Sequence, residues 1–187
     1  MRFRFFSIFF LVLFIASKAE ARNIGNDSKF ATHMPALITA VVNTDGPVLE
    51  MGCGDFSTPL LHAICAANKR FLLTAETNRN WMNLFVDLER NWHQFQHVDS
   101  VRGWNDIGLG VYWSVVFIDH APGERRVVDI RRLRSYADVF VVHDTQHWGY
   151  RYEPTLSSFK YKYVYRRYDV TTTLVSDTID VASFFRD

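Results

Sequence analysis

Val48-Leu49-Glu50-Met51-Gly52-Cys53-Gly54-Asp55 is the stretch that decides how the chain is read. Val48 to Met51 reads as a short buried strand. Gly52 and Gly54 permit a tight turn and a close backbone approach to a ligand. Ser57 or Thr58 then serves as the N-cap of a helix that starts directly behind the turn. Working outward, the helix covers Thr58 to Ala67 and carries Leu60, Leu61, Ile64 and Cys65 on one face. Upstream, Met34 or Pro35 to Val42 reads as a helix, closed by the turn signal Asn43-Thr44-Asp45-Gly46-Pro47.

The same alternation continues downstream. Arg70 to Ala75, Phe95 to Val98, Ser114 to Ile118 and Val139 to Val142 read as strands. Asn80 to Arg90 and Glu124 to Tyr136 read as amphipathic helices between them. Continuous apolar strands alternating with helices predict an α/β domain with a mostly parallel sheet covered on both faces. Lys160 to Tyr168 and Thr171 to Val181 lie too close together for a crossover, so they predict a closing antiparallel hairpin. The arginines between Arg125 and Arg134 alternate with Val127, Ile130 and Leu133, which predicts a solvated outer face for them.

Composition narrows the class. The 187 residues are 48% hydrophobic and 16% aromatic, with 21 Lys+Arg against 20 Asp+Glu. A chain so apolar and so balanced is not disordered. It has no net field to drive nucleic-acid binding, so nucleic acid is not an expected partner. Two cysteines are too few for a disulfide scaffold. Cys53 in a turn and Cys65 inside the next helix lie too far apart to pair, so both are expected as free thiols.

Ligands of an open parallel sheet bind beyond the carboxyl ends of its strands. Four successive strands end in Glu76, Asp99, Asp119 and Asp144. Glu76 lies about 20 residues beyond the glycines, the distance at which an acid grips a ribose diol. Any one of these acids is also an ordinary helix N-cap; together they make an acidic mouth suited to a nucleoside or a cation. His120 and His147 fall in loops at that mouth, and His143 ends a strand, where it is either a base or a packed core histidine. An imidazole titrates near neutrality, which suits a general base.

These residues resemble those of class I S-adenosylmethionine (SAM) dependent methyltransferases. Glu50-Met51-Gly52-Cys53-Gly54 is similar to their E-x-G-x-G motif, Glu76 to their ribose-binding acid, and Asp99-Ser100 to the segment beside the adenine. The closing hairpin matches that Rossmann-like methyltransferase fold. The dinucleotide fingerprint of dehydrogenases needs a glycine where this chain has Ser57. The resemblance covers residues 34–187 and implies SAM as cofactor, with Gly52 and Gly54 under its methionine part and Glu50 near its ammonium. It implies methyl transfer, here to a hydroxyl of a small molecule or sugar, with His120, His143 or His147 as base. The ends of strands four and five further resemble catechol-type O-methyltransferases, which implies Mg²⁺ held by Asp119 and Asp144. Thr145 stands at that family's amide ligand and Pro122 at its lysine base.

Residues 1–21 are a separate object. Arg2 and Arg4 precede an apolar run over 5–16, and Ala19-Glu20-Ala21 ends it, the pattern of a cleaved secretory signal. The run is shorter than the roughly 20 residues of a membrane span, and an uncleaved anchor is the competing reading. Residues 22–35 read as a polar lead-in to a domain over 36–187. Export is at odds with a cytosolic cofactor. It motivates the alternative of a non-catalytic binding module on the same fold.

Overall fold

The computed structural model describes residues 28–186. A seven-stranded sheet runs through it. The strands are β1 (Val48–Met51), β2 (Leu72–Glu76), β3 (His93–His97), β4 (Trp113–Ile118), β5 (Ala137–Val142), β6 (Tyr161–Tyr165) and β7 (Thr172–Ser176). Their order across the sheet is β3-β2-β1-β4-β5-β7-β6. The first five are parallel, and β7 pairs antiparallel with both β5 and β6. The expected α/β architecture and closing hairpin are therefore present.

The strands are apolar because both faces are covered. All six residues of β4 are buried. On one face α1 (Met34–Val42) and α2 (Thr58–Asn68) bury Leu37, Val41, Leu61 and Ile64 against Val115, Phe117 and Val139. On the other, α4 (Arg126–Leu133) and the 3₁₀ turns at Val101–Asp106 bury Ile130, Leu133 and Trp104 against Leu49, Val116 and Phe140. Full burial of one such side chain contributes about 1.5–3 kcal/mol, so these layers set the fold. Cys53 and Cys65 are buried free thiols.

Three expectations change. Asn80 to Arg90 does not form one helix: α3 covers only Arg79–Met82, and a 3₁₀ turn follows at Val86–Leu88. Met82 and Phe85 are drawn down onto Cys53, which leaves Leu84 and Val86 turned to solvent. The helix expected over 124–136 is three pieces, α4 between 3₁₀ turns at Gly123–Arg125 and Arg134–Tyr136. Its arginines do not form a solvated face. Arg126 is buried, and Arg125 and Arg132 fold inward onto the buried Asp129 at 2.9 and 2.5 Å. A buried carboxylate needs that pairing, since an isolated one is strongly disfavoured away from water. A short α5 (Glu153–Leu156) follows β5. The export segment expected over 1–21 lies outside the described residues. Among the described residues no helix is long and apolar enough to cross a membrane.

Candidate functional site

The parallel ladder continues past the strand ends and aligns the loops on one rim. Gly52 N donates to Ala75 O at 2.9 Å, Asp119 N to Met51 O at 2.9 Å, and His143 N to Ile118 O at 3.1 Å. Gly52 has φ +92°. A Cβ there would lie 2.7 Å from His120 N and 2.8 Å from the Asp119 carbonyl. Glycine is thus required by the approach of the β1 and β4 ends. Gly54 is different: a Cβ there would meet only Ser57 Oγ, at 3.5 Å.

Glu50 is fully buried. It accepts hydrogen bonds from Thr58 Oγ1 at 3.0 Å and Thr74 Oγ1 at 2.7 Å. Thr58 Oγ1 in turn accepts from Gly54 N at 2.9 Å. Glu50 thus faces inward and holds the glycine loop through Thr58. Burial pushes its carboxyl up to about 7, against the hydroxyls of Ser57, Thr74 and Thr58, which favour the charge. Folding then favours the protonated acid. The contribution is fully present below pH 4.5, the acid's ordinary value, and is lost as pH rises through 7. Glu50→Gln is expected to gain on the order of 3 kcal/mol on the parent between pH 4.5 and 8. The buried His33 and His93 are pushed down to about 3, chiefly by desolvation. They make acid destabilising in both proteins. The denaturant-melt difference between variant and parent therefore isolates Glu50, and a difference flat with pH contradicts its raised pKa.

Glu76 ends β2 with its carboxylate turned to the same loop. Oε2 accepts from Cys53 N at 3.2 Å and Oε1 from Asn78 N at 2.7 Å and Thr77 Oγ1 at 3.2 Å. The Cys53 thiol approaches Oε2 at 3.8 Å. Trp81 Nε1 donates to Cys53 O at 2.8 Å and fixes the loop from the other side. Asp99 lies at the outer end of the rim and is exposed, 2.8 Å from His97 Nδ1. A cavity of about 420 Å³ opens there, lined by His97, Val98, Asp99, Ser100 and Arg102.

The acids at β4 and β5 meet a cation. Arg126 Nη2 lies 3.0 Å from Asp119 Oδ1, and Nη1 lies 3.5 Å from Asp144 Oδ2. Arg126 also donates to His120 O at 2.6 Å and Asp119 O at 2.9 Å. Asp144 adopts φ +59° at this bend. Thr145 turns away to Thr173 Oγ1 at 2.7 Å. The donor set expected for Mg²⁺ does not fit that ion. A guanidinium already bridges the two carboxylates, and no third hard oxygen joins them at Thr145. The single sequence signal for Arg126, its place in an arginine run, pointed to solvent instead.

The three histidines separate. His120 is buried, not at the mouth: its Nε2 is 3.0 Å from Asp129 Oδ2 and its ring packs 4.3 Å from Trp104. Desolvation pushes its pKa down against Asp129, which raises it. His143 is buried too, with Nδ1 3.2 Å from Asp119 Oδ2 and Nε2 3.0 Å from Thr32 Oγ1. His147 is exposed beside Trp148 and stacks 4.1 Å from Tyr150. His33, inside the stretch read as a loose lead-in, is buried against Phe117 and His143, each at 4.8 Å. Nothing in its local sequence marks it; only the fold of α1 over β4 and β5 brings it in.

No family model and no curated protein matches the sequence. Solved structures match its fold. Human methyltransferase-like protein 13 in complex with SAH superposes with a TM-score of 0.59 at 15% identity, covering 79% of this chain and 82% of that one. Cofactor-bound Rv0187 from MTB gives 0.60 at 12% identity, covering 90% of each chain. The plantazolicin methyltransferase BpumL in complex with SAH gives 0.52 at 9% identity, covering 87% and 89%. Identities this low speak to architecture. The parallel β3-β2-β1-β4-β5 core, the antiparallel β7-β6 edge and the glycine loop after β1 agree with it: the chain has the class I SAM-dependent methyltransferase fold.

Proposed function

We propose that the protein binds SAM across the rim of β1 and β2 and transfers its methyl group to a hydroxyl of a small molecule or sugar. The observation that carries this reading is Glu76, an acceptor-only carboxylate fixed at the end of β2 against the glycine loop. A ribose diol supplies two donors to such a group. The Cys53 thiol contact, at 3.8 Å, is the weakest of those Glu76 makes and is the one a hydroxyl displaces. The uncrowded backbone at Gly54 and the exposed Asp99 at the cavity mouth fit the rest of a nucleoside.

When bound, SAM supplies a methyl group on a sulfonium, open to direct displacement. The chain has then to align the acceptor and take its proton. Among the three expected bases, His147 is the one open to solvent on the rim, and we assign it that role. Trp148, exposed beside it, is free to cover an acceptor. Export through residues 1–21 remains part of the proposal and rests on their sequence alone.

The test pairs two variants. Loss of a charged hydrogen-bond partner is worth about 1.5–3 kcal/mol, so Glu76→Ala is expected to weaken SAM binding by about 10- to 100-fold in calorimetry. His147→Ala is expected to keep the parent affinity for SAM and lose turnover. Equal SAM affinity in Glu76→Ala and the parent overturns the cofactor site. SAM binding with no turnover on any hydroxyl acceptor favours the non-catalytic binding module.

A further inference from the structure

His33 is an anomaly for a buried residue. Among the described residues it is the histidine with both ring nitrogens buried and unpartnered. Buried polar atoms are almost always satisfied, and a native exception calls for a bound water or ion. The ring is 97% removed from solvent and lies beside His143 and Asp119. One ligand atom from each of these three residues falls within 4.8 Å of the other two.

We propose that His33, Asp119 and His143 form a two-histidine, one-carboxylate site for a zinc-class divalent metal ion. The carboxylate edge is already at the right spacing. Zinc bonds of about 2.0–2.1 Å place tetrahedral ligands about 3.3 Å apart, and His143 Nδ1 lies 3.2 Å from Asp119 Oδ2. The His33 nitrogen lies within 4.8 Å of both and has to move inward as the ion binds. Thr32 Oγ1, 3.0 Å from His143 Nε2, is the outer partner that orients a ligating imidazole. With the proton on Nε2, the Nδ1 lone pair and the Asp119 carboxylate face each other, an arrangement that a cation between them satisfies.

The charges permit an ion. Arg126 engages Asp119 through Oδ1 and leaves Oδ2 to the site. Asp119 and Asp144 together outweigh the single guanidinium. Asp119 is the partly exposed ligand and gives the ion its way in. The donors also choose the metal. Two imidazoles suit zinc and its neighbours, whereas Mg²⁺ demands oxygen. The open coordination positions would accept a substrate oxygen or water, the mark of a catalytic rather than a purely structural zinc site. This inference does not need the methyl-transfer reading: no ligand contacts Glu76, and Asp119 meets the Gly52 loop through its backbone while its carboxylate faces the site.

The test is a titration of Zn²⁺ into the untagged full chain against a chromophoric chelator. One ion per chain is expected, with no displacement by a hundredfold excess of Mg²⁺. His33→Phe fills the same space without nitrogens and is expected to weaken Zn²⁺ binding at least about 100-fold. Its SAM affinity is expected to equal the parent's, which separates failure here from failure of the cofactor reading. Zn²⁺ is expected to raise the melting temperature of the parent and not of the variant. If His33→Phe does not fold, His33→Leu carries the same comparison. No bound Zn²⁺ in the parent, equal Zn²⁺ affinity in the variant, or ready exchange for Mg²⁺ overturns the proposal.

Discussion

Arg126→Ala is expected to melt about 10 °C below the parent protein. The guanidinium is buried at the junction of the β4 and β5 loops, between Asp119 and Asp144, and donates to the carbonyls of Asp119 and His120. Removing one partner of a buried ion pair costs about 3–5 kcal/mol, because the remaining charges lose their compensation. Both carboxylates are partly exposed, which places the expectation near the lower bound. For a domain of this size each kcal/mol is worth about 2–4 °C. Arg126→Lys is not expected to rescue. One ammonium cannot reach two carboxylates and two carbonyls from a single point. A thermal melt checks this, and a shift under about 2 °C in Arg126→Ala contradicts the bridging role.

Gly52→Ala is expected to be as damaging, for a different reason. A side chain at φ +92° is strained, by about 1–3 kcal/mol. The added Cβ also meets backbone atoms of Asp119 and His120 at 2.7–2.8 Å, and backbone cannot swing aside as a side chain can. Forcing β1 and β4 apart costs a further ~1–3 kcal/mol of overpacking. A loss of about 3 kcal/mol or more in urea-melt stability is therefore expected. Gly54→Ala supplies the contrast. Its Cβ has ordinary clearance, so its stability is expected to stay within about 1 kcal/mol of the parent. Equal losses at the two glycines would contradict the distinction between a packing glycine and a loop glycine.

Local sequence carried the architecture further than it carried the site. The buried strands were legible because β4 and β5 are continuous apolar runs, and a run of that kind is buried on both faces. The hairpin was legible from the short gap between β6 and β7. The meeting of Glu76 with the glycine loop was legible because both stand at the ends of adjacent parallel strands, a placement that follows from distance along the chain. The histidines and arginines were not. His120 follows a strand end and Arg126 falls on the polar side of a helix pattern, yet both are buried, because the fold of the β4 and β5 loops brings charged partners onto them: Asp129 for one, Asp119 and Asp144 for the other. His33 was hidden in the same way. Its neighbours Phe117 and His143 are about a hundred residues away. Periodicity does not report such contacts. It placed Leu84 on a helix face that the packing of Met82 and Phe85 onto Cys53 then dissolved.

The central claim is that the rim of β1 and β2 is a SAM site. A crystal structure of the protein with S-adenosylhomocysteine tests it most directly. The account predicts the ribose hydroxyls within hydrogen-bond distance of Glu76, the adenine toward Asp99, and the sulfur facing the rim that carries His147. A ligand bound elsewhere, or a ribose with no contact to Glu76, would contradict it.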